Sequence, residues 1–370
     1  MNTKKLFEPI QIGTLNLRNR IAMAPMTRSF SPNNIPNDGN VTYYERRAKN
    51  NVGLIITEGT CPGHKAASGY PDVPFFYGEE ALIGWKRVVD AVHAQGGAIV
   101  PQLWHVGAVR RGKHGPDPSV PAYSPSGLFT PKRENGVAMT QQDIDEVIDA
   151  FATSAEAAQN LGFDGVEIHG AHGYLIDQFF WAGTNQRTDG YGGDLVARTR
   201  FACELIRTMR QRVGPDFPII LRYSQWKLQN YDVKLAETPQ ELESFLTPLA
   251  EAGVDIFHCS NRRFWEPEFA DSPLNLAGWT KMITGLPTIT VGSVGLNAGF
   301  INESQRDMTK ASETDVATLD NLCQRLDNDE FDLVAVGRAL LQDPEWAIKV
   351  EAGRFDELED YSQDVLKALI

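Results

Sequence analysis

The residues best suited to chemistry lie in one stretch, residues 166–179, which begins as an apolar strand and continues into a turn and a helix. His169 and His172 are three residues apart, and Tyr174 follows two residues later. If the chain coils after the strand, these side chains converge on one pocket. Two imidazoles can donate hydrogen bonds to an oxygen that gains negative charge, and a phenol can deliver a proton. The spacing therefore predicts all three as catalytic residues, although a structural role for the histidines and a substrate-wall role for the phenol are the plainer alternatives.

A metal site is not expected. No third ligand stands at an obvious spacing from His169 and His172. The cysteines are far apart and form no CxxC pair, so an iron–sulfur or zinc cluster has no support in the sequence. They are Cys61, Cys203, Cys259 and Cys323.

Other polar residues and glycines follow the remaining apolar strands. They are Thr27, Gly59, Gln102, Trp104, Arg222, Gly292, Ser293, Gly337 and Arg338. Glycine amides and an arginine after the last two strands suit a phosphate dianion. A buried arginine stabilises an anion on a ring, and a glutamine side chain both donates to and accepts from a pyrimidine-like edge. A small residue lets a ring approach the backbone. Together these residues predict a flavin mononucleotide (FMN) site, against the alternatives of a buried ion pair at Arg222, helix capping by Arg338 and turn capping by Thr27.

These residues must be positioned by eight short apolar strands that alternate with helices. The strands are predicted at residues 21–24, 53–57, 98–103, 165–168, 218–222, 254–258, 287–291 and 332–336. Helices are predicted at residues 41–50, 79–95, 140–161, 195–212, 238–252, 315–326 and 344–350. The alternation predicts an α/β fold, a (β/α)8 TIM barrel, as a single domain over residues 1–370. An open doubly wound sheet is the competitor, but the G-x-G-x-x-G motif expected of it is absent from the sequence.

Three segments depart from the simple alternation. Residues 8–20 predict an N-terminal hairpin that closes the bottom of the barrel. The long loop 107–139 after the third strand is rich in proline and glycine, which predicts a lid or a binding loop. The polar stretch 297–313 after the seventh strand is predicted to be an insertion.

The composition is that of a globular protein, with 42% hydrophobic and 22% charged residues among 370. The net charge of −13 argues against general nucleic-acid binding. The N-terminus has no apolar signal-peptide region, and no run of about 18 apolar residues predicts a membrane span. We therefore expect a cytoplasmic protein with reduced thiols and no membrane partner. A homo-oligomer is an open alternative.

Several long motifs, in the right order, resemble the Old Yellow Enzyme family of FMN-dependent ene-reductases along nearly the whole chain. The motifs are LFEP (6–9), APMTR (24–28), QLWH (102–105), VEIHGAHGYLIDQF (166–179), NQRTDGYGG (185–193) and VGR (336–338). The resemblance implies a TIM barrel with noncovalently bound FMN. It also implies NADPH or NADH as the electron donor and a small activated alkene as the substrate.

The resemblance also implies a role for each matching residue. Thr27, in the loop with Pro25 and Met26, would bond the flavin C4 carbonyl, and Gln102 would read the pyrimidine edge. Arg222 would lie near N1, while Gly337 and Arg338, with Gly292 and Ser293, would hold the phosphate. His169 and His172 would bind the carbonyl or nitro oxygen of the substrate, with His169 also bordering the flavin. Tyr174 would protonate the substrate Cα, and Tyr70 and Trp104 would line the substrate pocket or, alternatively, belong to the core.

The implied reaction is reduction of an activated C=C bond. A demethylase or dehydrogenase, or a reductase of nitro compounds and quinones, is an alternative on the same barrel. A flavin-free lyase or isomerase would need a Schiff-base lysine or a metal at a strand end, and the sequence offers neither. A protein that only binds would not need the intact pair of histidines and the tyrosine. Segments 224–229 and 261–265 are bulkier than the family pattern, which leaves the substrate preference open.

Overall fold

Eight parallel strands form a closed barrel in the computed structural model, which describes residues 1–111, 117–297 and 312–370. In chain order the strands are β1 (Ile10–Ile12), β2 (Leu15–Leu17), β3 (Ile21–Met23), β4 (Leu54–Thr60), β5 (Ala98–Leu103), β6 (Tyr123–Ser124), β7 (Leu128–Thr130), β8 (Arg133–Glu134), β9 (Val137–Ala138), β10 (Val166–His172), β11 (Ile219–Lys227), β12 (Ile256–Ser260), β13 (Thr288–Val291) and β14 (Leu333–Val336). Around the barrel the order is β3, β4, β5, β10, β11, β12, β13, β14 and back to β3. The predicted (β/α)8 barrel is confirmed.

A helix follows each barrel strand. The α-helices are α1 (Asp38–Lys49), α2 (Glu79–Ala94), α3 (Gln141–Leu161), α4 (Leu175–Phe180), α5 (Arg200–Val213), α6 (Pro239–Glu251), α7 (Leu276–Thr284), α8 (Val316–Asp327), α9 (Arg338–Gln342) and α10 (Trp346–Glu351). Short 3-10 helices lie at Lys4–Phe7, Pro32–Asn34, Gly107–Val109, Ala197–Thr199, Phe355–Glu357 and Gln363–Lys367. Local sequence sets several ends: Thr140 and Asp143 form a capping box at the start of α3, and Gly162, with φ +85°, ends it.

No helix was predicted between the sixth and seventh strands, and α7 lies there. Its start is capped by Asn275, whose side-chain oxygen accepts the amide of Gly278, and it ends at Gly285, with φ +68°. The helix predicted at 344–350 is α10, and a further short helix, α9, starts directly after β14. These short helices lack the long apolar stripe that identifies a helix in sequence.

The strands β10 and β11 are longer than predicted. They were expected to end at Ile168 and Arg222, but they continue side by side to His172 and Lys227. A register shift between Gly170 and His172 marks a bulge in the pair. His169 and His172 therefore lie on a strand that rises above the barrel, and the prediction that both lie in the turn was wrong.

Another bulge explains how proline fits inside β5. Ile56 pairs with Val100 and Gly59 pairs with Gln102, so two residues of β4 lie opposite Pro101 alone. Proline lacks an N–H for the ladder, and the bulge removes the need for one.

The N-terminal hairpin lies at the amino ends of the barrel strands. β1 and β2 pair antiparallel, and Ile12, Leu15 and Leu17 pack on the side chains that fill the barrel, as predicted. The barrel-filling side chains include Ala22, Leu54, Ile56, Val100, Ile220, Ile256, Ile289 and Leu333. The bottom of the barrel is therefore an apolar, packed layer.

The predictions for the long loop 107–139 and for the insertion 297–313 are tested to different extents. In the loop after β5, β6 pairs with β9 and β7 with β8, so residues 117–139 carry short strand pairs, while the predicted lid role stays a prediction. Of the predicted insertion 297–313, residues 298–311 lie outside the described residues. All four cysteines are buried and unpaired. Among the described residues, no helix is long and apolar enough to span a bilayer, and no cluster of potential metal ligands occurs.

Candidate active site

A cavity of about 490 Å³ opens at the carboxyl ends of the barrel strands. The predicted site residues that line it are Pro25, Met26, Thr27, Tyr70, Gln102, Trp104, His169, His172, Tyr174, Arg222, Gly292, Ser293, Gly337 and Arg338. Gly59 is the exception. A Cβ atom on Gly59 would lie 2.6 Å from Cε3 of Trp104, so this glycine makes room for the indole behind the cavity wall.

The loop that carries Thr27 is held from below by Glu58. This buried carboxylate accepts the backbone N–H groups of Arg28 (2.9 Å) and Ser29 (3.1 Å). Burial raises the pKa of Glu58 to about 7. Glu58 therefore supports the position of Thr27 without reaching the cavity.

Beneath the cavity, the buried carboxylate of Glu167 on β10 links side chains of β5 and β12. Glu167 accepts a hydrogen bond from Nε2 of Gln102 at 2.7 Å and lies 2.6 Å from Nδ1 of His258. The side chains of Glu167 and His258 are fully buried. Because the amide nitrogen of Gln102 bonds Glu167, the other end of that amide is oriented, which fixes how Gln102 can read a ring edge.

Arg222 brings a positive charge into this buried region. Within the described residues its side chain makes one hydrogen bond, from Nη2 to Oγ of Ser260 at 3.3 Å, and its Nε atom has no partner. Burial lowers the pKa of Arg222, and Glu167 opposes that shift. A buried guanidinium with an unused donor fits an anionic ring atom or a carbonyl oxygen.

The two predicted catalytic histidines and Tyr174 form a cluster of rings. The centroids of His169 and His172 are 5.2 Å apart, and those of His169 and Tyr174 are 5.1 Å apart. Nδ1 of His169 accepts the N–H of Ala171 at 3.4 Å, which leaves Nε2 to carry the proton. Burial is the main cause that lowers the pKa of both histidines well below the usual value, and the nearby Arg222 lowers them further. Both rings are therefore neutral hydrogen-bond donors at neutral pH.

An aromatic wall surrounds Tyr174. Its hydroxyl lies 3.2 Å from the hydroxyl of Tyr70, and the Tyr70 ring stacks on Trp104 with a centroid distance of 5.2 Å. Trp104 meets Tyr174 edge to face at 4.9 Å. Burial raises the pKa of Tyr174 well above its usual value, so the phenol keeps its proton at neutral pH.

The opposite side of the cavity combines glycines with Arg338. Gly292 has φ +134°, and a Cβ there would lie 2.8 Å from the carbonyl oxygen of Asn261. Arg338 donates to Oγ of Ser293 at 3.2 Å and to Oγ of Ser312 at 2.7 Å. Burial lowers the pKa of Arg338 to about 10, so it remains a cation. Positive charge, hydroxyls and close backbone approach are the donor set that a phosphate requires.

Several cavity residues were not predicted as site residues. They include Ser260, Tyr361 and Leu366, together with Trp226, Leu228, Asn261, Arg262 and Arg263 of the two bulky segments 224–229 and 261–265. Trp226 had a detectable signal, because on a strand it faces the same way as Arg222, four residues earlier. Ser260 is the last residue of β12, two residues beyond the predicted end of that strand. The others lie on loops or near the end of the chain, where sequence periodicity gives no direction.

The residues at the two ends of the cavity fit the two ends of FMN. The amide of Gln102 and the buried Arg222 suit the ring, and Arg338 with its neighbouring hydroxyls suits the phosphate. The family model described as the NADH:flavin oxidoreductase / NADH oxidase family matches residues 5–357. A protein of Oryza sativa subsp. japonica, "Putative 12-oxophytodienoate reductase 2", is 32% identical over 373 residues, covering 97% of this chain and 91% of that protein. The "NADH oxidase" of Thermoanaerobacter brockii is 33% identical, and the match covers 95% of this chain and 52% of that protein.

Solved structures agree with the sequence matches. Morphinone reductase in complex with tetrahydroNAD superposes with a TM-score of 0.79 at 28% identity, covering 98% of this chain and 93% of that one. Fold and site thus define a flavin-binding barrel enzyme. The chain belongs to the NADH:flavin oxidoreductase / NADH oxidase family, so the Old Yellow Enzyme resemblance is confirmed. It is an oxidoreductase that uses FMN and NAD(P)H.

Proposed function

We propose that the protein is an ene-reductase that reduces the C=C bond of alkenes activated by a carbonyl or nitro group. The observation that carries the proposal is the cluster of two neutral imidazoles and one protonated phenol on a single cavity. Imidazole N–H groups stabilise negative charge on an oxygen, and a phenol nearby supplies a proton. The named relatives include reductases of 12-oxophytodienoate and of morphinone, which supports a substrate that accepts electrons.

In this proposal, two groups of residues hold FMN. Thr27, Gln102 and Arg222 bind the ring edge, with Pro25, Met26 and His169 bordering it. Gly292, Ser293, Gly337 and Arg338 bind the phosphate. When bound, FMN supplies the hydride chemistry, taking two electrons from NAD(P)H and passing them to the alkene.

The chain's own residues then orient and polarise the substrate. His169 and His172 donate hydrogen bonds to the carbonyl or nitro oxygen, which draws electron density away from Cβ. Trp104 and Tyr70 form the wall of the substrate pocket next to Tyr174. Tyr174 gives its proton to Cα, and its hydroxyl is oriented by the Tyr70 hydroxyl 3.2 Å away.

The test is the anaerobic absorbance spectrum of the purified protein before and after NADPH or NADH, and then after 2-cyclohexenone. We expect a flavin spectrum that bleaches with the donor and returns with the enone. Protein that is colourless and cannot be reconstituted with FMN would contradict the flavin assignment. Flavin that is reoxidised by a nitro compound or a quinone, but not by the enone, would contradict the ene-reductase proposal and favour the xenobiotic reductase.

The Tyr174→Phe variant separates the two half-reactions. Loss of the proton donor should slow reoxidation by the enone by about 100-fold or more, while reduction by NAD(P)H keeps its rate. Tyr77→Phe is the matched control, because the Tyr77 ring stacks on Phe75 outside the cavity. A demethylase or dehydrogenase would instead bleach its flavin with an amine or alcohol substrate. The cytoplasmic location, the homo-oligomer and the single-domain organisation stay predictions.

A further inference from the structure

Ser260, at the end of β12, lies between a predicted flavin ligand and a predicted substrate ligand. Its Oγ atom is 2.8 Å from Nε2 of His172 and 3.3 Å from Nη2 of Arg222. Ser260 borders the cavity but only 3% of it is exposed, so its hydroxyl depends on partners within the protein. No motif or spacing in the sequence predicts a role for this residue.

The direction of the two hydrogen bonds follows from the chemistry of the groups. A guanidinium can only donate, so Oγ of Ser260 accepts from Arg222. The hydroxyl still has one proton to donate, and within the described residues the acceptor in reach is Nε2 of His172. If Nε2 carried a proton instead, the buried hydroxyl proton would have no acceptor, which is unfavourable. Nε2 is therefore the unprotonated nitrogen of His172, and the proton is on Nδ1.

The surroundings of His172 also disfavour the charged form of its ring. His172 is surrounded by positive or potentially positive groups on three strands: Arg222 and Lys227 on β11, His169 on its own strand and His258 on β12. Burial lowers the pKa of His172 well below its usual value, and these groups lower it further. The ring is thus neutral, and its Nδ1 atom has no hydrogen-bond partner in the part of the chain that the structure describes.

The plane of the ring is also held. Trp226 stacks on His172 with centroids 4.5 Å apart and planes inclined by 27°, and the Trp226 indole donates to the carbonyl oxygen of Ser260 at 3.0 Å. The backbone N–H of His172 donates to Oγ of Ser224 at 3.0 Å. A flip of the ring would separate Nε2 from Ser260, so rotation and tautomer are coupled.

We propose that Ser260 is a positioning residue that fixes His172 as the Nδ1–H tautomer. His169, whose Nδ1 accepts the Ala171 amide, offers Nε2–H. The two histidines then present two neutral donors that use opposite ring nitrogens to one acceptor oxygen of a ligand. The inference deepens the proposed function and rests on it for the identity of the ligand, but the state of the His172 ring is measurable without turnover.

The experiment is ¹⁵N NMR of the holoenzyme labelled in its histidines, with the His172 signals assigned by their loss in His172→Gln. We expect wild-type His172 to show a protonated Nδ1 and an unprotonated Nε2. Ser260→Ala should give a mixture of both tautomers, and Ser260→Thr, which keeps the hydroxyl, should restore the wild-type pattern. Ser154→Ala is the matched control, because it removes a buried hydroxyl that bonds the carbonyl of Phe76.

Binding of 4-hydroxybenzaldehyde, whose phenolate offers one anionic oxygen, gives a second readout. We expect its Kd, from the flavin absorbance change, to rise about tenfold in Ser260→Ala, the equivalent of one hydrogen bond, and to stay near wild type in Ser260→Thr and Ser154→Ala. A wild-type His172 protonated on Nε2 would overturn the inference, as would a Ser260→Ala variant with unchanged tautomer and Kd. Failure of the proposed function has a different signature, since enone reoxidation would then be absent while the His172 signals still report the tautomer.

Discussion

The Lys227→Met substitution tests how the long strands β10 and β11 support the active site. Nζ of Lys227 lies 2.7 Å from Oδ1 of Asp177, and both side chains are fully buried. Removing one partner of a buried pair leaves the other charge without compensation, which costs about 3–5 kcal/mol. We therefore expect the free energy of unfolding to fall by about that amount at neutral pH. The measurement is equilibrium urea unfolding of the holoenzyme, followed by tryptophan fluorescence.

The stability of Lys227→Met should also depend on pH, in a direction that follows from the pKa of Asp177. Burial already raises the pKa of Asp177, and Lys227 opposes that shift. Without the lysine, the folded-state pKa rises further, so the folded protein holds a proton that the unfolded chain releases near pH 4. The stability that Lys227→Met loses relative to the wild type should therefore be smallest below about pH 4 and should grow as the pH rises through the folded-state pKa of Asp177.

The same pair bears on catalysis through the backbone. Oδ2 of Asp177 accepts the N–H of Gly173 at 2.6 Å, next to His172, whose φ is +64°. A protonated Asp177 is a weaker acceptor, so the turn at Gly173, between His172 and Tyr174, should loosen in Lys227→Met. Enone reoxidation should slow more than reduction by NAD(P)H, because the donor half-reaction does not use the proton of Tyr174.

Two controls make the result interpretable. The double variant Asp177→Asn/Lys227→Met keeps an acceptor for Gly173 without a buried charge, and it should recover at least half of the lost stability. Lys367→Met removes an exposed lysine from its pair with Asp364 and should produce no measurable change. A loss below about 1 kcal/mol in Lys227→Met, with no change in the pH profile, would refute the reasoning.

Two further substitutions test residues behind the cavity wall. Gly59→Ala places a methyl group against the Trp104 ring, so we expect a destabilisation of about 1–3 kcal/mol in urea unfolding and a changed Kd for 4-hydroxybenzaldehyde. Full wild-type stability would contradict the close packing. Glu167→Gln removes the buried negative charge near Arg222 and Gln102, so the FMN reduction potential, measured by dye equilibration, should rise by about 30 mV or more. An unchanged or lower potential would contradict the charge assignment.

The barrel was predictable from sequence because each strand is a short apolar run that ends at glycine, proline or a polar residue. Strand ends were predictable only where burial stopped there. β11 continues past Arg222 through Ser224 to Lys227, whose charge is hidden by Asp177, so a polar sequence looked like a loop. Tertiary pairing outweighed the local signal.

Some residues of the candidate site were predictable from the sequence, and others were not. Residues inside long motifs, such as His169 and Tyr174, were predictable and line the cavity. Ser260 was not assigned, because its importance comes from contacts with two other strands that no spacing in the sequence shows. Trp226 was missed because the strand was predicted to end at Arg222, which hid the alternation that places both residues on one face. Gly59 was placed at the cavity for its small size, and the structure uses that size for the Trp104 ring instead.

The hairpin of β1 and β2 determines from which end of the barrel small molecules reach the cavity. Ile12, Leu15 and Leu17 cover the amino end of the barrel with packed apolar side chains, so small molecules enter the cavity from the opposite rim. If an electron donor and an electron acceptor share that entrance, each must depart before the other arrives. Steady-state rates measured over a range of donor and acceptor concentrations should then give parallel double-reciprocal lines. An excess of either compound should slow turnover, because it occupies the cavity that the other compound needs.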